Sequence, residues 1–439
     1  MNDIKHLKCL ASVNTMGAIR QLTPAAFPGN HCPMHTALSL GSRIKGVSTL
    51  VIGTAECGYY SRNVPISSPC AEQSLHWTYV LDQQEVIFGF RAGLTAALKE
   101  MDREGAKVIL LLGTCVPELI GEDIESICLE LQPRLSARLI PISLGNFKCG
   151  SYQPGYWKTL VAMGKLMKHE KKKTRTVNIL GRSAYEDHIP MPELIKALKD
   201  REIPLRFIAP DSCLEDFVQA ANGQLNLVLS PFMYPLAQWM EKEHKIPFFS
   251  LHDVYDVNEI SLVYSDIAQF LKLDNSLGSG EIFDPAALRN AAESIQKEAS
   301  KQLSGIQYVS ALIGAVQPLP LSVYLSSLGM IPIMIHMEEF YPADKQYREA
   351  LLYLDQNPVI CLMLNEQADQ PLIEALCPAL ILGDWGGRTL PSPASIQLMD
   401  FYGQIGYERT ILLLERILKS LDIAFKYGLK NGGYHNGTL

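Results

Sequence analysis

Val108-Ile-Leu-Leu-Leu-Gly-Thr-Cys-Val-Pro-Glu-Leu-Ile-Gly-Glu-Asp123 opens as an unbroken apolar run, closes on Gly-Thr-Cys and passes into a helical pattern. An apolar run of that length without alternation fits a strand covered on both faces, as in a parallel sheet. Thr49-Leu-Val-Ile-Gly-Thr-Ala-Glu-Cys-Gly-Tyr-Tyr60 repeats the arrangement earlier in the chain. Ligands of open parallel sheets collect outside the carboxyl ends of the strands. Cys57 and Cys115 are therefore expected at one rim. Cys32, in the loop Phe27-Pro-Gly-Asn-His-Cys-Pro-Met-His35, precedes the first of these strands and lies within reach of it. Three converging thiolates suit a soft-metal centre, iron–sulfur first among the candidates. The spacing is neither the paired CxxC of a zinc ribbon nor the run of a ferredoxin. One buried cysteine is an ordinary core residue; the three neighbourhoods together are what point to metal.

The chain has 439 residues, more than one ordinary core accommodates, so two or three domains are expected. Hydrophobic residues at 47% and charged ones at 19% describe a well-packed globular chain rather than a disordered one. A net charge of −7 offers no clustered basic face for nucleic acid. The most apolar stretch, 308–337, is interrupted by Pro318, Pro320 and Pro332, which argues against a membrane span. The first thirty residues lack the apolar core of a signal peptide. With no secretory signal, ten scattered cysteines imply a reducing, cytoplasmic setting rather than a disulfide scaffold.

Along the chain the rhythm is β then α, which predicts an α/β protein of three Rossmann-like domains with parallel sheets. The first domain, 1–172, has strands at 49–55, 108–113 and 138–144 and helices at 86–103, 117–131 and 158–168. The charged run Lys168-His-Glu-Lys-Lys-Lys-Thr-Arg175 reads as a solvated boundary. The second domain, 173–305, alternates strands 177–180, 205–208, 225–229 and 247–250 with helices 191–199, 213–221 and 234–244. A helical region at 261–304 follows, broken at Gly278-Ser-Gly280. The third domain, 306–439, has strands at 309–314, 331–335, 359–364 and 379–382 and a C-terminal helix at 411–421.

Cys57-Gly-Tyr-Tyr-Ser61, Glu85-Val-Ile-Phe-Gly89 and Cys115-Val-Pro-Glu-Leu-Ile-Gly-Glu-Asp-Ile124 occur in the order and spacing of the nitrogenase component 1 family, and the chain resembles that family. Phe147 with Gly155-Tyr156, and the ending Tyr402-Gly-Gln-Ile-Gly-Tyr407, extend the likeness over most of the chain. Phe90 and Arg409 stand where the family pattern has glycine. The resemblance implies that Cys32, Cys57 and Cys115 bind an electron-relay cluster at a subunit interface, either a 4Fe–4S centre or a larger P-cluster-like 8Fe–7S centre. It also implies an iron-protein-like ATPase as electron donor, since the chain carries no GxxxxGK[ST] loop. The partner across the cluster is then a second copy, giving a homodimer, or a sister β-like subunit.

Cys70 and Cys149 are reserve ligands, and Glu56 beside Cys57 is a candidate fourth ligand. His31 and His35 flank Cys32, where a solvated loop histidine is the plain reading. Ser230 ends the strand on which nitrogenase α subunits carry a cofactor cysteine, and a hydroxyl is a poor soft-metal ligand. Cys213, in a loop before that strand, reads as structural. In the third domain His336, Glu338, Glu339 and Asp384 follow strand ends and are candidate proton donors to a substrate, although capping and turns explain Asp384 equally well.

Three readings follow. The first is the catalytic component of a two-component, ATP-dependent reductase acting on a small-molecule organic or tetrapyrrole-type substrate. The second is a non-enzymatic scaffold for assembly of a nitrogenase-type metal cofactor. The third is a metal-free α/β binding protein with dispensable cysteines.

Overall fold

A computed structural model describes residues 8–13, 32–61, 74–149, 152–168, 173–182, 189–208, 211–273, 286–312, 314, 316–338, 340–341, 343–362, 366–383, 385 and 394–426. Among them the strands are β1 (Lys8–Cys9), β2 (Val47–Gly53), β3 (His76–Val80), β4 (Val108–Gly113), β5 (Arg138–Ser143), β6 (Val177–Leu180), β7 (Leu205–Ile208), β8 (Leu225–Val228), β9 (Phe248–Ser250), β10 (Gln307–Ala311), β11 (Ile331–Met337), β12 (Val359–Leu362), β13 (Leu380–Gly383) and β14 (Ala394–Ile396).

They form three sheets, in the orders β3-β2-β4-β5, β7-β6-β8-β9 and β1-β12-β11-β10-β13-β14. In the first sheet β2 runs parallel to both β3 and β4, and β4 to β5. Every residue of β2 and β4 is buried, which is why both read as apolar runs without alternation. The chain leaves β2 toward β3 on one side, and β4 toward β5 on the other. That reversal is a topological switch point, and it opens a crevice at the carboxyl ends of β2 and β4. The second sheet has the same reversal at β6 and β8. In the third sheet it falls between β10 and β13, and β1 adds an antiparallel edge against β12.

The chain divides into two compact units. One comprises Gly29–His188 and Ile203–Phe249 and carries the first two sheets. Its largest core joins Val47, Val51, Leu110 and Leu112 of the first sheet to Leu180, Ile208 and Val228 of the second. The other comprises Met1–Pro28, Ile189–Glu202 and Ser250–Leu439 and carries the third sheet. There the long C-terminal helix Gly406–Lys426 buries Leu413, Leu414, Ile417 and Leu421 against Leu380, Leu382 and Tyr308. The helix Glu193–Asp200, which follows β6 in sequence, belongs to this second unit.

Several elements differ from the sequence reading. The expected helix 86–103 is two, Gln83–Phe88 and Arg91–Arg103, and the expected helix 117–131 is likewise Cys115–Ile120 and Ile124–Leu131. The breaks fall at Gly89 and Gly121, with φ of 92° and 78°. Asp82 and Asp123 start the segments Gln83–Phe88 and Ile124–Leu131 by accepting from the backbone N–H of Glu85 and Ser126. The helix Pro33–Ser42, β1 and β3 are additions. The Gly278–Gly280 break lies outside the described residues.

Candidate metal centre

The three predicted cysteines all stand at helix starts in the first unit. Cys32 is the N-cap of Pro33–Ser42, Cys57 lies in the first turn of Ala55–Ser61 just after β2, and Cys115 opens Cys115–Ile120 just after β4. Cys57 and Cys115 thus flank the switch-point crevice. β2 and β4 stay paired to their ends, with Ile52 opposite Gly113 and the Thr114 N–H donating to the Ile52 carbonyl at 3.1 Å.

Cys32 is brought to the same place by helix packing. The single Thr36 O–H is shared between the carbonyls of Pro33, 2.9 Å away, and Tyr152, 2.7 Å away, tying the start of Pro33–Ser42 to the start of Gln153–Gly164. The crossing is tight enough that a methyl group on Gly155 would overlap the Thr36 hydroxyl and the Pro33 carbonyl. Gly155 is therefore needed for close approach.

All three thiols are half-buried. Burial pushes the Cys32 thiol up; the charges of Cys115 and Cys57 add to the rise, and the backbone N–H groups of Met34 and His35 pull the other way. The thiols are close enough to feel one another. The Asn146 backbone N–H donates to Cys115 Sγ at 3.2 Å. The hydroxyls of Thr114 and Thr54 lie 3.7 and 3.8 Å from Cys57 Sγ. Thiolates gain from helix N-termini and amide donors, and hydrogen bonds to sulfur tune iron–sulfur centres. The donor set fits such a group.

Cys149 is buried at the end of the short helix Asn146–Cys149, close enough to Cys115 for their charges to interact. Burial raises its thiol first, against the pull of Lys158, whose ammonium donates to Cys149 Sγ at 3.4 Å and to the Ser143 carbonyl at 2.8 Å. Glu118 accepts from the Gly145 N–H at 2.7 Å and pairs with Lys148 at 2.8 Å, pinning the loop that carries the Asn146 amide. The sequence reading did not single out Asn146, Glu118 or Lys158. The Gly145–Cys149 turn after β5 was the available signal for them. Glu56 is solvent-exposed, its carboxyl held down first by the Thr54 hydroxyl. Cys70, His31 and Asp384 lie outside the described residues, and His35 is half-buried in the helix Pro33–Ser42.

Ser230 closes the rim of the second sheet, 1% exposed. His336 and Glu338 lie in the other unit. His336 is inside the third sheet, 1% exposed, between the Ser310 carbonyl and the Asp369 carboxylate. Glu338 is half-buried and accepts from the Gly314 N–H at 3.3 Å.

An α/β chain of parallel sheets with a cysteine-lined switch-point crevice is the class of protein these features define. The chain belongs to the nitrogenase component 1 type oxidoreductase family, whose model matches residues 32–422. It is similar to the nitrogenase iron-molybdenum cofactor biosynthesis protein NifE of Clostridium pasteurianum, 28% identical over 322 residues, which is 69% of this chain and 67% of that one. The protein of the same name from Methanosarcina barkeri is 25% identical over 350 residues, covering 73% and 74%. Among solved structures, nitrogenase Cp1 at pH 6.5 superposes with a TM-score of 0.71, covering 95% of this chain and 98% of that one. At 15% identity that likeness bears on the fold alone. No described helix is long and apolar enough to cross a membrane.

Proposed function

We propose that this chain is an iron–sulfur-carrying scaffold of the nitrogenase component 1 type, on which a metal cofactor is assembled for a client protein. The observation that carries the reading is the convergence of Cys32, Cys57 and Cys115 on the β2–β4 crevice, in a chain whose relatives are named cofactor biosynthesis proteins. Those three thiolates would hold the cluster, and the cluster would supply one-electron chemistry at low potential. Cys149, close enough to Cys115 for their charges to interact, is one protein candidate for a further ligand, and a partner subunit could supply it instead. The residues around them orient sulfur and hold charge. The Asn146 amide donates to Cys115, Lys158 offers a cation beside Cys149, and the Met34 and His35 N–H groups favour the Cys32 thiolate.

Half-burial of the thiols supports a centre completed by a second chain of the same fold, a sister subunit or another copy. An iron-protein-like ATPase would deliver electrons to it. The reductase reading remains the second one, and Ser230 favours it, since the second-sheet rim offers a hydroxyl where a thiolate would anchor an assembled cofactor.

Anaerobic purification with iron, sulfide and EPR analysis tests the cluster. Roughly four irons per cluster with a reduced-cubane signal, lost in Cys57→Ala, is the expected result. Function is then separated by two assays on loaded protein. Transfer of a cofactor that activates a cofactor-free nitrogenase client supports the scaffold. ATP-dependent turnover of a tetrapyrrole with an iron protein, without such transfer, would replace it with the reductase. Iron-free protein from cells with competent cluster assembly would end both readings.

A further inference from the structure

The third sheet holds a second group of metal-type donors, far from the thiol trio in character. His336 on β11 and Cys361 on β12 are direct cross-strand partners in a parallel pair, so their side chains share one face of the sheet. Asp369, in the first turn of the helix Glu366–Leu376, reaches that face. His336 Nε2 lies 3.0 Å from Asp369 Oδ2, and Cys361 Sγ lies 3.5 Å from Asp369 Oδ1. One ligand atom from each residue lies within 4.8 Å of the other two. All three side chains are buried, and Cys361 packs in one core with Val309, Ala311, Met334, Ile373 and Ile381.

We propose that His336, Cys361 and Asp369 bind one divalent borderline cation, zinc by preference, through Nε2, Sγ and a carboxylate oxygen. Four features carry this. The donors are of the N, S and O types that zinc accepts together. Bond lengths of about 2.0–2.3 Å around a tetrahedral ion put its ligand atoms about 3.3–3.7 Å apart. The 3.5 Å edge falls inside that range and the 3.0 Å edge lies just below it.

The third feature is the far side of the imidazole. His336 Nδ1 faces the Ser310 carbonyl at 3.0 Å. A proton on Nδ1 donated there leaves the Nε2 lone pair toward the other two donors. A carbonyl behind the ring is the usual outer partner of a metal-bound histidine. The fourth is charge: a thiolate and a carboxylate cancel a divalent cation, so the filled site is neutral in an apolar core. Without the ion the same atoms form a histidine–carboxylate contact with the thiol donating to the other carboxylate oxygen, and this is the arrangement the experiment must separate from the metal site.

The ion would be structural. It would staple β11 and β12 to the helix Glu366–Leu376, which carries Pro371 within it and lacks one backbone donor there. Three protein donors leave one coordination position for a small ligand such as water.

The test uses the full chain without a histidine tag, grown with zinc and purified without chelator. Metal is counted by mass spectrometry, and cobalt(II) is titrated into chelator-treated wild type. About one zinc per chain and a thiolate-to-cobalt charge-transfer band are expected. Both should be lost in Cys361→Ala and kept in Cys57→Ala. Wild type that holds only trace zinc and shows no charge-transfer band overturns the proposal, and needs no variant to fold. Zinc that persists in Cys361→Ala but vanishes in Cys57→Ala overturns it too, placing the ion on the thiol trio.

Discussion

The rim of the first sheet and the face of the third sheet both gather cysteine with other donors, by opposite means. At the rim, Cys57 and Cys115 stand in the first turns of helices just beyond the ends of β2 and β4, where the switch point opens a crevice, and the thiols stay half-exposed. On the third sheet, His336 and Cys361 are inside the strands, two strand pairs away from the β10–β13 switch point, and are closed over by a helix. An open all-sulfur set can share a large group with a second chain. A closed mixed set has room for a single ion. Position relative to the switch point, more than residue type, separates an open rim from a closed sheet face.

The sharpest way to break the comparison is Cys115→Ala. The first-sheet reading expects all cluster iron to go, roughly four ions per cluster, while zinc is unchanged. Loss of both metals together would mean that the two sites are not independent. Gly155→Ala tests how Cys32 is placed. The added methyl must push the two helix starts apart, so iron loading should fall by more than half with the three cysteines intact. Full loading would show that the cysteine finds the crevice without the tight crossing.

Glu193 sharpens the contrast on the side of the third sheet. Burial lifts its carboxyl to about 7, against hydrogen bonds from the Tyr264 hydroxyl at 2.8 Å and the Tyr407 N–H at 2.6 Å. The native value lies above the ordinary 4.5, so folding takes up a proton between about pH 4.5 and 7. The associated stabilisation is full below that window and is lost as pH rises through about 7. At about 1.4 kcal/mol per pKa unit it amounts to about 3 kcal/mol. Denaturant unfolding at pH 4.5 and 8 should show that slope in wild type and its removal in Glu193→Gln. An equal slope in both proteins would assign the pH dependence elsewhere.

The smallest effect is expected in the second sheet, which has buried polar groups and, among the described residues, no group of metal-type donors. Asn178 Nδ2 donates to Asn226 Oδ1 at 2.8 Å and to the Ala220 carbonyl at 2.9 Å, and both asparagines are fully buried. Asn178→Leu strands the Asn226 amide and should cost about 2 kcal/mol in chemical denaturation. The double change Asn178→Leu with Asn226→Leu should cost less, because no orphaned polar group remains. Equal or greater loss would locate the effect in packing.

Much of this was legible because β2 and β4 are buried on both faces, and such strands announce themselves as unbroken apolar runs. β3 was missed: His76-Trp-Thr-Tyr-Val80 is a half-exposed edge strand with polar residues between aromatic ones. β1 was missed because two residues carry no periodicity, and only their antiparallel pairing with β12, far along the chain, makes them a strand. Gly89 and Gly121 were visible, but the helical pattern on either side continues in phase, so two helices read as one. His336 was noted for its place near a strand end. Its partners Cys361 and Asp369 were not connected to it, because cross-strand register and a helix crossing are invisible in the chain order.

By itself the sequence determined the family, the parallel α/β class and the three thiols worth testing, because buried strands and glycine-bounded motifs are local patterns carried by neighbouring residues. Only the tertiary structure decided which donors meet. Cys32 reaches the crevice through a helix crossing at Gly155, Cys149 and the Asn146 amide arrive from the turn after β5, and His336 meets Cys361 through strand register. Those contacts join residues distant in the chain. They exist only once the sheets have formed and the helices have packed on them.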